Sequence, residues 1–272
     1  MKREKTSLGT LVILTIMGIT FLIPFIVMVL GAFLKMQVPI GNPFTWASRY
    51  PLTLDNFRYI REYSDIFVWL FNSLIISVIP TFAQMFFAAI LGYVFARKDF
   101  FGKEFLFWAM MSVVMVPSQV LIIPKYIMFS KMGWINTHLA LIVPSLWSIM
   151  GVFLVRQFMQ QIPMSLEESA KIDGASDLTV FFRIMLPLSK PVIATVGTFA
   201  FVGAWNNLFN PLIFTTSKDM YPITVGLASL LAKEGNFGVT MAGSFLSFVP
   251  TFLIFLFFQK YFTKGIAFTG IK

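Results

Sequence analysis

The sequence predicts an all-α, polytopic membrane protein with about six transmembrane helices, and three observations carry that fold class. Of 272 residues, 57% are hydrophobic and 12% charged, about half the charged share of an ordinary soluble domain. Uncharged apolar runs of roughly 20 residues, the length that crosses a bilayer's hydrocarbon core, recur along the chain. The segments between them are short and carry most of the Lys and Arg.

The first run, Leu8 to Leu34, is too long for a signal-peptide core and lacks a small-residue cleavage site, so it reads as a retained span. The second, Ile66 to Ala96, carries no charge and holds Pro80, whose freed backbone group neighbouring helices can satisfy. A third extends from Phe105 to Ile123, with Pro117 inside it and Pro124 at its end. A shorter fourth covers Leu139 to Val155. The fifth, Val192 to Phe214, brings Asn206, Asn207 and Asn210 near its end, and the sixth extends from Val239 to Phe258.

An even number of spans puts both termini on one side, and the Lys/Arg bias selects the cytoplasm. That side then holds Lys2, Arg3, Lys5, Arg97, Lys98, Lys103, Arg156, Lys171, Arg183, Lys190, Lys260, Lys264 and Lys272, 13 of the 21 basic residues. Segments 36–65 and 215–238 fall outside the cell, and Asp55, Asn56, Arg58 and Arg61 within the first suit either a docking contact or a solvated loop. The net charge of +9 follows from this topology and from contact with anionic lipid. No basic stripe with interleaved aromatics indicates nucleic acid.

The absence of cysteine excludes thiolate metal sites and cysteine nucleophiles, and one histidine, His138, makes no cluster. No catalytic or metal-binding residue is therefore assigned. A phosphate-cradling GxxxxGK[ST] is absent, because Gly102-Lys103 is followed by Glu104. No ionisable group stands well inside a span. Lys125 follows Pro124 at a span end, from where its head can reach the interface.

The loop from 156 to 190 has readable helix punctuation. Ser165 and Glu168 have the spacing of a capping box, Leu166 to Ile172 supply a helix, and Gly174 suits a left-handed stop. Asp177 is placed to cap a second short helix, which has Phe181, Phe182 and Ile184 to dock and Pro187 to stop it. Helices this short need a partner to pack against. Polar groups elsewhere in the spans, Asn72, Gln84, Gln119, Asn206, Asn207 and Asn210, either face a solute pathway or bond between helices. Trp205 is divided between sugar stacking and ordinary anchoring.

Glu168, Ala170, Gly174, Ile184, Leu186 and Pro187 carry the spacing E-A-A-x-x-x-G-x(9)-I-x-L-P, with Ser169 in place of the first alanine. This resembles the permease subunits of binding-protein-dependent ABC importers. Asn72-Ser73-Leu74, Ala96-Arg97, Asn136-Thr137 and Trp205-Asn206-Asn207 extend the likeness across the chain, toward the carbohydrate-uptake subfamily of maltose/glycerol-phosphate type.

The resemblance implies the type I ABC importer permease fold in a single transmembrane domain, residues 1–272, of a bacterial or archaeal inner membrane. It implies alternating access, no cofactor of the chain's own, and ATP and Mg bound by the partner ATPase. The implied partners are a second homologous permease, two cytoplasmic ATPase subunits, an extracytoplasmic solute-binding protein, a sugar or sugar-like solute, and membrane lipid. The loop would be the coupling element, with Glu167, Glu168, Ser169, Ala170, Asp173, Gly174, Ile184, Leu186 and Pro187 at the ATPase. Glu168 either contacts the ATPase or closes the capping box with Ser165. A stand-alone secondary transporter or facilitator is the alternative.

Overall fold

The computed structural model describes residues 8–35 and 41–269, with side chains except those of 233, 234 and 260–269. Lys2, Arg3, Lys5 and Lys272 lie outside the described residues, as do the side chains of Lys260 and Lys264. Among the described residues every element is helical, apart from one bridge between Leu34 and Leu52. Four helices are long and apolar enough to cross a membrane, Leu8–Phe33, Ile66–Arg97, Leu139–Gln160 and Phe237–Gln259. Two bent helix pairs, Lys103–Met115 with Ser118–Lys131 and Asp177–Leu188 with Lys190–Trp205, raise the number to six if each is one span.

The chain divides into two compact units, residues 1–67 with 226–249 and residues 68–225 with 250–272. In the first, helix Leu8–Phe33 is exposed along most of its apolar length and buried only at Gly31 and Ala32. That surface suits hydrocarbon contact, where apolar exposure carries no penalty. Its last turn is closed by Asn56, a buried residue of helix Asp55–Tyr63. The Asn56 amide donates to the Ala32 and Leu34 carbonyls at 2.9 and 3.0 Å, two acceptors that the helix itself leaves unpaired. Neighbouring Asp55 forms exposed ion pairs with Lys35 and Arg58.

The second unit is built on helices Ile66–Arg97, Ile149–Gln160 and Lys190–Trp205. They approach closely because small residues sit at the crossings. A Cβ on Gly92 would come within 2.6 Å of Val155, so only glycine permits that backbone contact. Ala88, Tyr93, Val152, Val155, Met159 and Val196 form part of the buried core there.

Two of the expected continuous spans are broken. The stretch Phe105 to Ile123 is helix Lys103–Ser112, a 3-10 turn to Met115, and a second arm from Ser118 through helix Ile122–Lys131, bent by 85°. Pro117 supplies no N–H and holds Val116 in an extended conformation, which ends the first arm. Pro124 falls in the first turn of the next helix and not at a span's end. The stretch Val192 to Phe214 is likewise helix Lys190–Trp205, an interruption at 206–208, and helix Phe209–Phe214. Pro211 cannot donate to Asn207, and the Asn207 Oδ1 instead accepts from the Asn210 N–H at 3.1 Å, closing a local turn.

Candidate functional site

The polar loop after helix Ile149–Gln160 folds as two short helices, Ser165–Ile172 and Asp177–Val180. The second continues through a π-helical turn, Phe181–Met185, to Leu188. Gly174, at φ +83°, ends the first helix. Its N–H donates to the Lys171 carbonyl at 3.0 Å and the Ala175 N–H to the Ala170 carbonyl at 2.9 Å, the paired bonds of a Schellman stop.

Three local expectations are corrected. Ser165 is already helical, Met164 precedes it without a side-chain cap, and no capping box forms with Glu168. The second helix is capped by Ser176, whose Oγ accepts from the Thr179 N–H at 3.3 Å, so Asp177 is free to pair elsewhere. Pro187 does not stop that helix, which runs on past it to Leu188; the chain breaks at Ser189.

The loop is held by the end of helix Ile66–Arg97. The Arg97 side chain is 5% exposed and its Nε lies 2.8 Å from Glu167 Oε1, an ion pair whose N–H is not aligned as a hydrogen bond. Its Nη2 donates to the Met159 carbonyl at 2.6 Å and to that of Ile162, and its Nη1 to the Met164 sulfur. One planar fork thus binds two carbonyls at and just past the end of helix Ile149–Gln160 and neutralises a carboxylate in the next helix.

Lys98 does the same for the second helix, with Nζ 2.5 Å from Asp177 Oδ1. Burial alone would lower the Lys98 amine, but the bond and charge of Asp177 together with Tyr93 outweigh it and raise the pKa; the bond to Lys98 holds Asp177 below the usual carboxylate range. Arg156 pairs with Glu104 at 2.6 Å and stands over the Phe107 ring.

Packing completes the attachment. Val180, Phe181 and Met185 are buried in the core beside Tyr93, Val155 and Met159, with Ala170, Ala175 and Leu186 against them and Ile184 half-buried. The opposite side is exposed and mixed: Glu168, Ser169, Asp173 and Pro187 with Leu166, Ile172, Leu178 and Phe182. An apolar group of this kind rimmed by polar residues suits contact with another protein. Of the two glutamates, Glu167 points into the fold and Glu168 out of it.

The pathway candidates divide. Asn72 is buried, and its amide donates to the Asp219 and Tyr221 carbonyls at 2.7 and 3.0 Å, tying segment 215–222 to the start of helix Ile66–Arg97. Trp69 and Asn136 hold the same segment, and the Ser73 Oγ accepts from the Ile223 N–H just beyond it. Trp205 is 1% exposed and stacked on Phe201, inside the packing and not on a surface a sugar ring reaches. Asn206 bonds its own helix at the Val202 carbonyl, and Gln119 is exposed beside the Pro117 break.

Gln84, Asn207 and Asn210 come together around two adjoining clefts at the interruption of helix Lys190–Trp205. The larger, of about 260 Å³, is lined by Gln84, Ser145, Ser148 and Asn207; the smaller by Lys125, Ser145, Asn207 and Asn210. Gln84 Nε2 donates to the Ser145 carbonyl at 2.7 Å. Broken helices that line a cavity are how membrane proteins present backbone and amide groups to a polar solute.

The sequence reading did not assign Arg97, Lys98, Lys125 or Ser148 to these two places. Two consecutive cations ending a span were the available signal for the first pair, but their partners lie some 70 residues away.

Residues 7–268 match the family model described as binding-protein-dependent transport system inner membrane component. The chain is 36% identical to the arabinooligosaccharides transport system permease protein AraQ of Halalkalibacterium halodurans, over 81% of this chain and 80% of that one. It is 30% identical to the trehalose/maltose transport system permease protein MalG of Thermococcus litoralis, over 94% of each. A crystal structure of a bacterial ABC transporter involved in import of the acidic polysaccharide alginate contains a chain of the same fold. The TM-score is 0.79 at 18% identity, covering 95% of this chain and 99% of that one.

Proposed function

The chain belongs to the family of binding-protein-dependent transport system inner membrane components, multi-pass permeases whose ATPase is a separate subunit, and on that premise we propose that it imports a sugar or sugar-like solute. The sugar-importing permeases among its relatives support the solute class. The loop from 156 to 190 is the coupling element. The observation that carries this role is the division of its surface: Arg97, Lys98 and the Val180–Met185 turn fix one side to the membrane helices, while Glu168, Ile172 and Leu178 present the other.

Two cytoplasmic ATPases close on ATP and Mg, the loop moves as a body with helix Ile66–Arg97, and the clefts around Asn207 change their access. A second, homologous permease completes the path, a solute-binding protein docks on segments 36–65 and 215–238, and both termini face the cytoplasm. A facilitator acting alone would have no use for an exposed face on a loop anchored this firmly.

The test is ATP-driven uptake together with co-purification of the ATPase. Glu168→Ala and Gly174→Val are expected to lower both while the chain still inserts. Wild-type values in both assays for both variants would overturn the coupling role.

A further inference from the structure

Lys125 has no part in the coupling element. It lies in helix Ile122–Lys131, in the second arm of the span bent at Pro117, and it lines the smaller cleft with Ser145, Asn207 and Asn210. Among the described residues five cations are buried or half-buried, and four have a carboxylate: Arg97 with Glu167, Lys98 with Asp177, Lys103 with Asp99, and Arg156 with Glu104. Lys125 is the fifth, and no described carboxylate is within ion-pairing distance of it. No Asp or Glu lines either cleft.

A cation withdrawn from bulk water without a counter-charge is costly, and within a membrane span it persists for a function. The groups around it are suited to one. Asn207 gives its Oδ1 to the Asn210 N–H and keeps its NH2 as a donor, and Ser145 and Ser148 line the continuous wall. Amides and hydroxyls of this kind read the hydroxyls of a sugar ring, and an ammonium reads an anionic substituent on it.

We propose that Lys125 is an anion subsite on the solute path and that the solute carries a carboxylate, as an oligosaccharide containing uronic acid does; this rests on the importer reading above. Asn207, which lines both clefts, and Gln84 hold the ring in the larger one, while in the smaller one Lys125 supplies the counter-charge to the carboxylate. The same ammonium chemistry would also suit a lipid phosphate, so the experiment separates the two.

The permease and ATPase subunits, purified without solute-binding protein into phosphatidylcholine nanodiscs, are titrated in parallel with digalacturonate and with the neutral disaccharide galactobiose. Wild type is expected to prefer the acid by about tenfold, with the preference shrinking as salt rises. Lys125→Met is expected to abolish the preference and Lys125→Arg to keep most of it. Equal binding of both sugars by wild type overturns the subsite, whether or not a variant assembles, and so does an undiminished preference in Lys125→Met. Phosphatidylglycerol retention that Lys125→Met removes, with the sugar preference intact, assigns the lysine to lipid and also overturns it. Binding is read without ATP, so absence of ATP-driven uptake when the wild-type subunits are reconstituted with their solute-binding protein into sealed vesicles counts against the importer reading alone.

Discussion

Around Arg97 and around Asn207 the second unit treats polar groups in opposite ways. At the Arg97 end, three basic side chains meet three carboxylates of the same unit, and the guanidinium of Arg97 also takes the carbonyls of Met159 and Ile162. Around Asn207, where helix Lys190–Trp205 ends, the polar groups set among an apolar lining are amides, hydroxyls and one lysine, with no carboxylate. Opposite charges held together in a buried joint resist separation, because parting them leaves a buried charge uncompensated. Groups left unsatisfied inside a cleft are suited to a ligand. In the function proposed above, the first region is where movement enters and the second where cargo is held.

The largest expected effect breaks the joint. Glu167→Ala leaves the Arg97 guanidinium buried without its carboxylate, a change that costs about 3–5 kcal/mol. Residues 165–188 are then expected to exchange backbone hydrogens much faster while the clefts' lining does not. Equal exchange in wild type and variant would show that the ion pair does not hold the loop.

Next in size is the turn. Gly174→Val forces a β-branched residue to positive φ at about 1–2 kcal/mol, and a Cβ there meets nothing within 4 Å, so the backbone conformation is the whole of the penalty. Gly174→Asn, which tolerates that conformation, should recover most of the thermal stability lost in valine; no recovery would place the effect elsewhere.

Smaller again is the Lys98–Asp177 contact. The Asp177 contribution is present above the ordinary carboxylate pKa and lost as pH falls through its lowered value, and the Lys98 contribution is lost only as pH rises through its raised one. The second helix should thus stay protected across neutral pH and loosen in acid. In Asp177→Asn that acid-linked step should vanish from a pH series of hydrogen exchange over residues 177–188, and its persistence would assign the titration to another group.

Glu168→Ala comes last for stability, within about 0.5 kcal/mol as for other exposed positions. Its transport defect without a folding defect would separate the two adjacent glutamates, one internal and one presented to a partner.

Much of this comparison was legible before any coordinates. Span lengths located Leu8–Phe33 and Ile66–Arg97 almost to the residue, because an uncharged run bounded by charge has few ways to lie in a bilayer. Gly174 was legible because a left-handed stop admits few residue types.

What escaped depended on distance in sequence or on small local energies. Glu167 and Glu168 are neighbours on an eight-residue helix, too short for periodicity to say which faces inward. The Asp177 cap failed because Ser176 competes one residue earlier, and the Ser165 cap because the helix already includes Ser165 and starts after Met164 with no side-chain cap. The break at Asn206–Leu208 is set by Pro211 and an asparagine turn inside an otherwise apolar run, where hydropathy is silent. Lys125 looked like a span-end residue because the 85° bend that carries it into a cleft is not visible in hydropathy.

The absence of cysteine from the chain makes one measurement especially direct. A single reporter thiol introduced by Ile172→Cys, at a side chain 86% exposed in this chain alone, is treated with a maleimide in native membranes before and after the ATPase is stripped away. The coupling account expects the thiol to be shielded in the assembled complex and labelled once the ATPase is removed. Equal labelling in both states would contradict it.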